Sequence, residues 1–141
     1  MVEYIIVIQC HIVKERCSGF LCEYSFHNRI GAFSDYPHDK DIRFLTMTCG
    51  GCCGRAVHRK LTNFLRQSRR KEKLSKESII VHFSSCISFE SFHGTPCPFK
   101  DYLENLVKKL GLKVVHGTRI NKLPEERREK GIYEKRDSNS N

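Results

Sequence analysis

Residues 44–54 read FLTMTCGGCCG, and this stretch decides the fold. Phe44, Leu45, Thr46, Met47 and Thr48 form a short run without a turn former, which suits a buried strand. Gly50 and Gly51 then let the backbone turn sharply. Beyond Gly54 the hydrophobic period changes. Val57, Leu61, Phe64 and Leu65 recur at offsets of 4, 7 and 8 residues, which makes one apolar stripe on a helix that should begin near Gly54. Strand, tight loop and helix in that order are the first part of a parallel crossover.

The same unit recurs on either side. Residues 4–8 (YIIVI), 79–83 (IIVHF) and 112–115 (LKVV) are also short apolar runs bounded by polar or turn residues. Their near-continuous hydrophobicity predicts a parallel sheet covered on both faces. Between the last two runs, Leu103, Leu106, Val107 and Leu110 keep helical spacing, with Pro98 suited to the first turn and Gly111 just past the end. The stretch 19–36 is rich in Phe and Tyr with looser periodicity and predicts a helix in the first crossover. The alternation implies an α/β fold, a three-layer sandwich on a small, mostly parallel four-stranded sheet, flavodoxin- or Rossmann-like. Residues 1–121 make one domain, and 122–141 read as a charged tail, a frayed helix or a disordered end.

A chain of 141 residues can bury one core but not two ordinary ones. Glu3 follows Met1 almost at once, and the apolar run 5–8 is far too short for a signal peptide or a membrane span, so the expected location is cytoplasmic and no membrane partner is expected. Eight cysteines without a secretory signal point to metal or redox chemistry rather than to a disulfide scaffold. The net charge of +9 is concentrated, with nine Lys or Arg in residues 55–76 against one acid, Glu72. Such a run can neutralise nucleic-acid phosphates. It lacks aromatic groups for base stacking, which favours a solvated helix end and loop.

The positions of the cysteines carry the chemistry. Cys10, Cys49 and Cys86 each follow a predicted strand, and in a parallel sheet those ends share the edge where ligands bind. Cys52 stands three residues after Cys49, a spacing at which two thiolates reach one ion, and Cys97 precedes Pro98 at the expected N-cap of a helix on that edge. Four of Cys10, Cys49, Cys52, Cys86 and Cys97 would suit zinc, with sulfur ligands at about 2.3 Å. Cys53, Cys17, Cys22, His116 at the end of the fourth strand and His93 in loop 91–95 are secondary candidates. His82, inside a strand, reads as a hydrogen-bonded core histidine. A thiol–disulfide redox pair at the CxxC and an iron–sulfur cluster are the alternatives to zinc.

These residues resemble the CGGC domain family. The resemblance covers roughly residues 4–119 and rests on ordered motifs. They are Gln9-Cys10, Cys17 with Gly19-Phe20 and Cys22, Arg29 with Phe33, Cys49-Gly50-Gly51-Cys52 with Gly54-Arg55, Ser84-Ser85-Cys86, Cys97-Pro98 and Gly117-Thr118. It implies metal binding, usually proposed as zinc, with no settled enzymatic activity. The chain departs from the family pattern twice. Cys53 stands where members have proline, and Arg119 stands where a Gly-Thr-His motif has its histidine, leaving His116 as the nearest imidazole.

Overall fold

The computed structural model of the chain describes residues 1–51, 53–89 and 94–119. Four strands, β1 (Tyr4–Gln9), β2 (Arg43–Thr48), β3 (Ile79–Phe83) and β4 (Lys113–His116), form one sheet in the order β2-β1-β3-β4. Every pairing is parallel, with Tyr4 opposite both Arg43 and Ile79. Each of the four predicted runs is a strand. β1 and β3 are buried along their whole length, as befits central strands with helices on both faces, whereas the edge strands β2 and β4 are partly exposed.

Helix α2 (Arg55–Glu72) and helix α4 (Lys100–Lys109) cover one face. Val57 and Leu61 of the first, and Leu103 and Val107 of the second, pack on Ile6, Ile8, Val81 and Phe83. Each such side chain removed from water contributes about 1.5–3 kcal/mol. Helix α1 (Phe20–His27) and a 3-10 turn at Gly31–Phe33 serve the opposite face, where Phe26, Phe33 and Ile42 cover Ile5 and Val7. The result is the expected three-layer α/β sandwich.

Three local details differ from expectation. Helix α2 does not end ahead of the basic stretch. It runs for 18 residues, until Lys73 turns left-handed (φ 54°) and donates its N–H to the Arg69 carbonyl. Cys97 is not the N-cap of α4. Its N–H is held by the Ile87 carbonyl at 2.8 Å, and its own carbonyl accepts from Lys100, so Pro98 and Phe99 form a turn before the helix begins. A four-residue helix, α3 (Ser85–Ser88), follows β3 where no element was predicted. The segment 122–141, with Cys52 and His93, lies outside the described residues.

Candidate metal centre

The order β2-β1-β3-β4 reverses direction between β1 and β3, and this point on the C-terminal edge is where open α/β sheets bind ligands. Cys10 leaves β1 there and Cys86 enters just after β3. Cys49 continues the β1–β2 ladder by one rung, its N–H bonded to the Gln9 carbonyl at 2.8 Å. Its sulfur, buried at 7% exposure, accepts the His11 backbone N–H at 3.4 Å. Lys60 of α2 reaches across and donates to the Thr48 carbonyl at 2.8 Å, which places an ammonium one residue from Cys49.

The loop after Cys49 depends on glycine. Gly50 has φ 68°, and a Cβ there would lie 2.3 Å from the Ala56 Cβ, so a side chain is excluded by conformation and by space together. Gly51 has φ 124° with open space around it. Gly54 caps α2 at φ 78° without a side-chain cap, which leaves the N-terminal end of the helix dipole near the motif.

Cys86 joins two groups of thiols. With Cys10, Cys49 and Cys97 it packs against the apolar cluster under α2 and α4. With Cys17 and Cys22 it also lines a cavity of about 220 Å³ at the reversal point, beside Gln9, Lys14 and Arg119. Burial pushes the Cys86 thiol up, and the neighbouring sulfurs of Cys10 and Cys22 push it the same way. The Ser84 hydroxyl at 2.9 Å and the Cys10 backbone pull against this. Cys22 is tied to Thr118 Oγ1 at 3.3 Å, and the Gln9 Oε1 atom, buried in the same wall, has no hydrogen-bond partner among the described residues.

The secondary candidates divide. Cys17 and Cys22 belong to the edge. Cys53 is exposed at the start of α2, where its carbonyl accepts from the Tyr102 hydroxyl. His116 has both ring nitrogens engaged, Nδ1 with Ser88 Oγ at 2.7 Å and Nε2 with the Glu104 carboxylate. His82 is fully buried, as a core histidine should be. Sequence reasoning placed Gln9 and Ser84 in the motifs around Cys10 and Cys86 without giving either a role, and it missed Lys60.

None of the seven described cysteines is in a disulfide. Among the described residues, no three Cys, His, Asp or Glu side chains are grouped so as to hold an ion as they stand. Cysteine sulfur is nonetheless a donor that suits a soft divalent cation, and Cys10 and Cys22 each act on Cys86, pushing its thiol up. No helix among the described residues is long and apolar enough to cross a membrane.

No curated protein and no solved structure matches this chain. The family profile of the CGGC domain matches residues 4–119, nearly the whole described chain. With its Cys-Gly-Gly-Cys loop between β2 and α2 and further thiols after β1 and β3, the chain belongs to the CGGC domain family.

Proposed function

We propose that the chain binds one thiophilic divalent metal ion, zinc, at the C-terminal edge of the sheet. Cys49 and Cys52 are the core ligands in this proposal, Cys10 and Cys86 come from the adjacent strand ends, and Cys97 rests on the same apolar cluster. Cys17 and Cys22 stand ready on the cavity side. The observation that carries the reading is that Cys10, Cys49 and Cys86, far apart in sequence, follow the ends of β1, β2 and β3 and border one core cluster together with Cys97. A bound zinc ion supplies cross-linking of the edge loops and thereby folding free energy.

The chain's own residues set the conditions for loading. Cys86 is held as a thiol by burial, so its proton must leave when a metal arrives, and affinity should rise with pH. Lys60 ties the end of β2 to α2 through the Thr48 carbonyl, and Gly50 shapes the turn that brings the motif round. Thiols outside any disulfide fit a reducing compartment, the cytoplasm.

Elemental analysis of protein prepared under nitrogen, with release of metal to a chromophoric chelator, tests the proposal. About one equivalent of zinc is expected in the wild type, and a clear loss in Cys49→Ser. Less than about half an equivalent of any metal in the wild type would sink it. Iron with inorganic sulfide, and absorbance near about 400 nm, would replace zinc with a cluster on the same thiols.

A further inference from the structure

Because α2 continues unbroken through the basic stretch, the concentrated charge acquires a definite shape. At about 100° per residue, Arg55, Arg59, Arg66 and Arg70 fall within about 60° of one another around the helix axis, opposite the buried Val57 and Leu61. All four are exposed, and among the described residues none of them forms an ion pair. Glu72, the helix's acidic residue, lies off this ridge and pairs with Arg43 at 2.6 Å.

We propose that this arginine ridge binds the phosphate backbone of a nucleic-acid duplex. Guanidinium groups present a planar fork that matches phosphate oxygens bidentately, and the ridge uses arginine at all four positions. The spacing fits two strands. At about 1.5 Å rise per residue, Arg55 and Arg59 stand about 6 Å apart along the axis, as do Arg66 and Arg70. The two pairs are separated by about 16 Å, enough to reach phosphates on both sides of a groove about 12 Å wide. Exposed Asn63 lies in the interval between the pairs.

Other anionic surfaces fit less well. No large apolar side chain on α2 is exposed, so the helix has no wedge to insert into a bilayer. Its one aromatic residue, Phe64, is turned against Tyr4 with ring centroids 4.9 Å apart, so no platform is left for stacking the bases of a single strand. The ridge uses none of the thiols and stands independently of metal binding.

The test is fluorescence anisotropy with labelled DNA and RNA duplexes of about 20 base pairs, a single strand of the same sequence, and vesicles containing phosphatidylserine. At about 50 mM salt the wild type should bind a duplex with micromolar affinity, weakening on the order of a hundredfold at about 200 mM. The double variant Arg59→Gln/Arg66→Gln should lose at least about tenfold at low salt and flatten the salt slope by about two. Lys113→Gln, on the far edge strand, should bind as the wild type does, and an unchanged circular dichroism melt would certify that both variants are folded. The stronger of the two duplex signals identifies the natural source of the backbone. Undetectable duplex binding at low salt, equal binding by the folded double variant, or tighter binding to the single strand or the vesicles would overturn the proposal.

Discussion

Ser84 Oγ lies 2.9 Å from Cys86 Sγ, so the hydroxyl is placed to donate to the sulfur whenever it becomes thiolate. Burial and the sulfurs of Cys10 and Cys22 work the other way and keep the proton on. In metal-free protein Cys86 should therefore be alkylated far more slowly than exposed Cys53, with a pH profile displaced upward. Ser84→Ala removes the opposing hydrogen bond and should slow Cys86 a further three- to tenfold or so, read by mass spectrometry of iodoacetamide adducts. A Cys86 that reacts as fast as Cys53 would contradict the burial argument.

His82 is fully buried, with Nδ1 2.9 Å from the Gly117 carbonyl and Nε2 2.7 Å from the Tyr36 hydroxyl. A carbonyl only accepts, so Nδ1 carries the hydrogen and the tyrosine donates to Nε2, which is the neutral imidazole. Burial lowers the His82 pKa from 6.5, and the same burial, with Asp35 nearby, pushes Tyr36 up to about 12. With the folded pKa below the unfolded one, the unfolded chain takes up the proton first. Stability is then full above 6.5 and is lost as pH falls from there through the folded value. Melting temperature should drop between about pH 7.5 and about pH 5.5, and His82→Gln should lessen that drop even though it lowers stability throughout.

Gly54 joins the loop to α2 and also touches α4. A Cβ there would lie 2.4 Å from Leu106 Cδ1 and 3.0 Å from Tyr102, at a backbone φ of 78°. Gly54→Ala should cost about 1–3 kcal/mol in urea denaturation through the left-handed backbone alone, with the clash adding to it. Gly51→Ala, at φ 124° with nothing within 4 Å, should carry a backbone cost but no clash.

Arg29 holds the loop between α1 and β2. Its guanidinium donates to the carbonyls of Phe26 at 2.5 Å, Pro37 at 3.3 Å and Lys40 at 3.4 Å, and lies 4.2 Å over the Phe26 ring. Arg29→Lys keeps the charge but loses the fork, and about 2 kcal/mol of stability should go with it, measured by chemical denaturation. A loss of only a few tenths would show that charge alone suffices.

The strands were legible because β1 and β3 are apolar on both faces, a signal that survives without knowledge of neighbours. The length of α2 was not, because residues beyond Leu65 are mostly basic and their helicity follows from continuation of the ladder rather than from an apolar stripe. Pro98 suggested a helix start, but the hydrogen bond from Cys97 to Ile87 fixed the chain first and moved the start to Lys100. At the site, the edge positions of Cys10, Cys49 and Cys86 followed from parallel topology. The meeting of Cys17 and Cys22 with Cys86 did not, since it depends on how the turn at Val13–Glu15 and α1 fold back over the reversal point.

Strand β1 occupies the middle of the sheet although it is made first. During synthesis its six buried residues have no neighbour until residue 48 has emerged, and none on the other side until residue 83. At about 5–20 residues per second, that leaves several seconds in which a sticky, strand-forming segment waits. The nascent chain should therefore be a client for chaperones that shield such segments, and recombinant yield should respond to slower translation or lower temperature more than equilibrium stability would suggest.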